Sequence, residues 1–331
     1  MEILGNGIDA TANMEYNTSH MKTRGTGCLA AVILAAAGGC RLLETGYGDD
    51  TMSRGSADAV SSVTGAARSS IAWAGAKVLS FDTDLDSDQH RCFIVIGEHS
   101  AAAYKSHPGL PSGYVPLPRV RFDALALPEG RYRYDPETGF VEDTTGVGFG
   151  ARLSMREDGP KFVVSFRGSN ASGEDEHWMQ DWIVNSQQGG GGTPSQYAYG
   201  AELLSSLRRA FPGDDIMVTG HSLGGGIAAY STLSLDSREK VSCATYNAAG
   251  LSSISLLSLP KEVVADAASR IVNIRSKGDP VSAIPGTSLV GAIYEVDNLR
   301  FANHSIDGLL TDMRRRAEGR RAGWLRDLFD D

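Results

Sequence analysis

The stretch Ile216-Met217-Val218-Thr219-Gly220-His221-Ser222-Leu223-Gly224-Gly225-Gly226 joins a short apolar run to a serine set among small residues, and a second apolar run, Ile227-Ala228-Ala229-Tyr230, follows. Gly220, His221, Ser222, Leu223 and Gly224 fit the G-x-S-x-G pattern of a serine carried on a tight strand-to-helix turn with its hydroxyl pushed clear of the backbone. Glycine at the two outer positions removes the Cβ atoms that would collide as the helix folds back on the strand. The free N–H groups and positive dipole end of that helix point toward Ser222, where an oxyanion could be held. A serine hydroxyl attacks a carbonyl carbon only when a base takes its proton, and an imidazole does this best when a carboxylate fixes its tautomer. Asp279, in Gly278-Asp279-Pro280, comes just past the strand-like Ile271 to Ile274, and sites in open α/β sheets lie at strand carboxyl ends. Asp297 is a competing acid. His304 is the only histidine downstream of the elbow. His221 is expected to turn away from its neighbour's hydroxyl and to pack behind the site.

These residues need a framework, and the chain around them supplies one. Gly146 to Met155 and Lys161 to Phe166 read as two central strands joined by the hairpin turn Glu157-Asp158-Gly159-Pro160. Phe166 runs into Arg167-Gly168-Ser169-Asn170, and Ser169 could bring a backbone N–H to the side of Ser222 opposite Leu223. Gln196 to Phe211 has helical periodicity, Val241 to Tyr246 reads as a strand, residues 260 to 269 look helical, and Ala292 to Val296 is strand-like. Strands alternating with helices predict a mostly parallel sheet with helices on both faces. Cys92 to Ile96 also reads as a strand, and the proline-rich residues 105 to 135 read as irregular connection.

Between residues 171 and 192 an acidic start gives way to the amphipathic His177-Trp178-Met179-Gln180-Asp181-Trp182-Ile183-Val184, closed by Gly189-Gly190-Gly191-Gly192. Two readings stand side by side. Trp178 and Trp182, four residues apart, either belong to a lid over an apolar cleft or pack as an ordinary helix face.

The motifs occur in a telling order: Val164-Ser165-Phe166-Arg167-Gly168-Ser169, Asp181-Trp182, Gly220 to Gly224, Gly278-Asp279-Pro280-Val281, then His304. In this the chain resembles the class 3, or fungal-type, lipases, and more closely the bacterial lipase-like branch of that α/β-hydrolase family. The resemblance covers roughly residues 130 to 312. It implies Ser222 as nucleophile, His304 as base, Asp279 as its orienter, Ser169 with the Leu223 amide as oxyanion hole, and a lid over 171–192. It also implies a lipid ester substrate, acylglycerol or phospholipid, with no cofactor or metal. Thioesterase or acyltransferase chemistry would use the same residues, and a catalytically silent binding scaffold is the alternative from another class. Where family members often carry a proline after the fourth strand, this chain has Asn247-Ala248-Ala249-Gly250.

Composition bounds the rest. At 331 residues, with 41% hydrophobic and 21% charged residues, the chain is globular. A net charge of -9 argues against broad nucleic-acid binding, which needs a basic face. Four scattered cysteines, Cys28, Cys40, Cys92 and Cys243, read as buried inert thiols. Residues 1–85 are expected to form an amino-terminal extension, with a helix from Ala57 to Val78, and residues 86–331 the hydrolase domain. Within the extension, Met21-Lys22-Thr23-Arg24, the apolar run Cys28 to Ala37 and Gly38-Gly39-Cys40 are similar to a bacterial lipoprotein signal. Export or lipid anchoring is one expectation, and a buried alanine-rich helix in a cytoplasmic protein is the other. At the far end, Arg314-Arg315-Arg316, Arg320-Arg321 and Trp324 to Phe329 read either as a basic helix on an anionic membrane or as a terminal helix tucked onto the domain.

Overall fold

The computed structural model describes residues 78–104, 109–157, 161–169, 194–236, 239–297 and 304–327. The expected signal segment at 21–40, the helix at 57–78 except for its last residue and the lid candidates Trp178 and Trp182 lie outside them.

A ten-stranded sheet organises the chain. Its strands are β1 (Val78–Ser80), β2 (Tyr114–Pro116), β3 (Tyr132–Asp135), β4 (Phe140–Asp143), β5 (Gly150–Arg156), β6 (Lys161–Phe166), β7 (Asp215–His221), β8 (Val241–Tyr246), β10 (Ile271–Ser276) and β12 (Ala292–Val296). The spatial order is β1-β12-β10-β8-β7-β6-β5-β4-β3, with β2 paired to β5. From β1 to β6 every neighbour is parallel, and from β6 outward the pairing turns antiparallel. The short β9 (Leu251–Ser252) and β11 (Thr287–Ser288) pair separately. The helices are α1 (Ser87–Ala102), α2 (Arg119–Asp123), α3 (Ser195–Ala210), α4 (Leu223–Leu233), α5 (Ser253–Leu257), α6 (Lys261–Ala265) and α7 (Ile306–Asp327).

Strand β7 shows why both faces are covered. Its apolar residues alternate, so Ile216 and Val218 join one core with Leu203, Leu207 and Ile227 of α3 and α4, while Met217 joins another with Phe93, Ile96, Leu309 and Met313 of α1 and α7. A strand apolar on both sides is the pattern of a parallel sheet sandwiched between helices. This is the mostly parallel sheet with helices on both faces that the strand and helix order predicted.

Three expectations are corrected. Cys92 to Ile96 is the middle of α1, not a strand: Asp86 caps it with a capping box to Gln89, and Cys92, Phe93, Ile96 and Ser100 form its buried stripe. Residues 105 to 135 are not wholly irregular, since β2, α2 and β3 fall there. Cys92 is disulfide-bonded, so among the described residues the reading as an inert buried thiol fits Cys243 and not Cys92. In addition, β1 at Val78–Ser80 pairs with β12, and Phe81 and Leu85 are core residues, so the sheet starts ahead of residue 86.

Helices α1 and α7 cross at Gly97, where a Cβ would lie 2.5 Å from Leu310 and 3.0 Å from the Tyr246 ring. Gly97→Val is therefore expected to lower the unfolding free energy by about 1–3 kcal/mol through overpacking, read as a fall in the urea midpoint at unchanged slope.

Candidate active site

The site is built where β7 turns into α4. Ser222 sits between them with φ 60 and ψ -130, a left-handed backbone that a non-glycine residue adopts only when its surroundings impose it. Two close approaches impose it. A Cβ on Gly220 would fall within contact of the Gly224 carbonyl, and one on Gly224 would strike the Phe166 carbonyl and come within 2.9 Å of the Gly168 nitrogen. Both obstacles are main chain and cannot rotate aside. The turn is pinned further by the Ser222 N–H donating to the Tyr246 carbonyl at 3.2 Å, and by the Ala249 N–H donating to the Ser222 carbonyl at 3.0 Å.

His304 lies directly before α7. Its Nε2 stands 2.9 Å from Ser222 Oγ and its Nδ1 2.7 Å from Asp279 Oδ1. The three expected residues are thus brought into one hydrogen-bonded row. Ser222 is 6% and Asp279 2% exposed, so the row is largely shielded from water, where electrostatic interactions are strongest. Asp279 follows the end of β10, and Gly278 before it takes φ 75 to turn the chain. Its second oxygen accepts the Ser282 N–H at 2.7 Å and the Ser282 hydroxyl at 2.6 Å. Every oxygen of this buried carboxylate thereby has a donor. Asp297, the competing acid, is exposed and pairs with Lys277 at 3.2 Å.

Opposite α4 the end of β6 closes the site. A Cβ on Gly168 would lie 2.8 Å from the His221 carbonyl and 3.3 Å from Ser222 Cβ, so the backbone entering Ser169 passes beside the serine. Ser169 is half-buried there, and the Leu223 amide opens α4 on the other side. Arg167 holds this loop from behind, its guanidinium 3.1 Å from Glu142. Among the described residues, no group of three or more His, Cys, Asp or Glu could hold a metal ion.

A family model described as a Tle-like phospholipase domain matches residues 97–324, more than half of the chain. The chain belongs to this family of Tle-like phospholipase domains. A curated relative, the extracellular phospholipase A1 of Serratia liquefaciens, is 33% identical over 110 residues, which span 33% of this chain and 31% of that protein. Among solved structures, the Lip2 lipase of Yarrowia lipolytica aligns at 14% identity and TM-score 0.40, covering 69% of this chain and 90% of that one. A mutant of MDLA from Penicillium cyclopium aligns at 16% identity and TM-score 0.43, covering 68% and 86%.

Several residues that shape the site of this phospholipase domain carry no sequence signal of their own. Ser282 reaches Asp279 only because the loop after β10 folds back. Asn247 takes φ 42, and its Oδ1 accepts the Ser276 N–H at 2.7 Å, tying the end of β8 to the end of β10, from which the Asp279 loop starts. Tyr104, just past α1, bonds His221 Nδ1 at 2.8 Å. His221 does point away from the Ser222 hydroxyl and toward the main chain of His304, 2.7 Å from its carbonyl oxygen.

Burial, together with the nearby His304, lowers the His221 pKa from 6.5 to about 3. An unfolded chain takes up a proton on this residue as pH falls through about 6.5 while the folded chain does so only near 3, so its contribution to stability is lost progressively across that window. Between pH 7.5 and 5 the unfolding free energy of the wild type is expected to fall more steeply than that of His221→Gln, by about 2 kcal/mol for one proton, measured by urea denaturation at each pH.

Proposed function

We propose that the protein is a serine hydrolase that cleaves the carboxylic ester bonds of lipids, phospholipids foremost, through an acyl-enzyme on Ser222. The observation that carries this reading is the unbroken row Ser222 Oγ, His304 and Asp279 at 2.9 and 2.7 Å, set in a chain whose family is that of phospholipase domains. His304 Nε2 takes the proton of Ser222 as Oγ attacks the acyl carbonyl, and Asp279 stabilises the imidazolium through Nδ1. The tetrahedral oxyanion is received by the Leu223 amide and by Ser169 on the facing loop, each such donor lowering the barrier by about 3 kcal/mol. Collapse expels the alcohol, protonated from His304 Nε2–H. Water then enters, gives its proton to His304, and its attack releases the fatty acid and restores Ser222.

The fluorophosphonate reaction and a substrate panel test this together. The wild type is expected to be labelled at Ser222 and to hydrolyse phospholipids or long-chain acylglycerols, with Ser222→Ala unlabelled and at background. Preference for acyl thioesters, or transfer to an alcohol in place of water, would redirect the reading within the same chemistry. A folded wild type that is neither labelled nor active would make it a silent scaffold.

Peripheral contact with an anionic membrane belongs to the same reading, and the basic residues of α7 are its source. Arg314, Arg315 and Arg316 already pair with Glu98, Asp312 and Asp82, each at 2.8 Å, so the test is made at Arg320 and Arg321. Arg320→Gln with Arg321→Gln is expected to weaken sedimentation with phosphatidylglycerol vesicles at least severalfold at low salt. Unchanged sedimentation would discard the membrane role.

A further inference from the structure

Behind the triad runs a second hydrogen-bonded row. Tyr104 Oη is 2.8 Å from His221 Nδ1, and His221 Nε2 is 2.7 Å from the carbonyl oxygen of His304. The Tyr104 hydroxyl also packs against Gly168, where any Cβ would collide with it. The imidazole rings of His221 and His304 are in contact, their centroids 4.7 Å apart and their planes tilted by 35°.

The direction of every bond in this row is fixed. A carbonyl oxygen can only accept, so the proton of neutral His221 is on Nε2 and Nδ1 is left as an acceptor. The Tyr104 O–H must therefore donate to Nδ1. The row reads Tyr104 O–H to His221, then His221 Nε2–H to the His304 carbonyl. Each polar atom in it is satisfied only while His221 stays neutral, and burial keeps it so, with a pKa near 3.

We infer that Tyr104 and His221 are positioning residues of the hydrolytic reaction, a brace that fixes the main chain of His304 relative to the Gly168-Ser169 loop without touching substrate. The inference rests on the reading of Ser222 and His304 as nucleophile and base given above. One end of the brace sets the imidazole that must meet both Ser222 and Asp279. The other end sets the loop on the oxyanion side. A base and an oxyanion donor that drift independently lose the alignment on which the transition state depends, and sub-ångström placement is what such supporting groups supply. Both members are easily overlooked: His221 stands in the elbow motif as its variable residue, and Tyr104 is 117 positions away from it in sequence.

The test compares Tyr104→Phe, His221→Leu and His221→Gln with the wild type on p-nitrophenyl butyrate and on dispersed phospholipid, with rates normalised to active sites titrated by fluorophosphonate end point. Tyr104→Phe is nearly isosteric and keeps the fold. It is expected to lower kcat about tenfold, the size of one buried hydrogen bond, with KM within twofold. His221→Leu is expected to lose about a hundredfold. His221→Gln, whose amide N–H can still reach the His304 carbonyl, is expected to recover most of that loss. The downfield proton resonance of His304 Nδ1–H should broaden or shift in Tyr104→Phe and His221→Leu and return in His221→Gln. An active wild type whose kcat per titrated site is unchanged in Tyr104→Phe and His221→Leu would overturn the inference, as would changes confined to KM. A wild type neither labelled nor active would instead remove the hydrolase reading itself.

Discussion

The absence of room beside Gly224 is the constraint on which this protein depends. The first turn of α4 lies against the end of β6 so closely that main chain faces main chain, with Phe166, Arg167 and Gly168 on one side and Gly224 on the other. That contact forces Ser222 into its left-handed backbone and lifts its hydroxyl out of the strand. It also brings the β6 loop to the serine's flank. One steric fact therefore fixes both the serine oxygen and the wall it faces, and the glycines are there because any Cβ would have to displace main-chain groups of α4 or of the end of β6 and its loop.

Shielding sets the second requirement. An ionised carboxylate as deeply buried as Asp279 is costly unless donors surround it. Ser282 and His304 share its two oxygens. Because Ser282 holds one oxygen with two donors, the other is free to direct the imidazole. Asn247 contributes at one remove, locking the end of β10 to the end of β8 so that the loop bearing Asp279 starts from a fixed point.

Legibility in the sequence followed the range of the interactions. The elbow was readable because its constraint is local: glycine spacing reports a steric demand within five residues. Asp279 and His304 were readable because a strand end and a scarcity of histidines left few alternatives. The apolar strands of the parallel sheet announced themselves by composition, and residues 195–210 by helical period. Where the reading failed, the signal was short or weak. Cys92 to Ile96 is too brief to separate strand from helix by period, and the cap at Asp86 with Gln89 was the decisive mark. Strands β3 and β4 lie at the edge of the sheet and mix Arg, Asp and Glu with their aromatics, so they hardly resembled strands, although Gly139 with φ 77 turns the chain between them. Tyr104, Ser282 and Asn247 were invisible, since their partners are set by how separate segments meet rather than by neighbours in the chain.

Helix α7 brings the histidine to the site, and it is held by α1 through Gly97 against Leu310 and through Arg314 to Glu98. Ser222 and His304 are 82 residues apart. A chain emerging from the ribosome can complete the elbow and most of the sheet while the histidine is still inside the exit tunnel. The hydrogen-bonded row therefore forms only when α7 docks, after the elbow and the strands around it are in place. Timing, in this fold, is a property of topology.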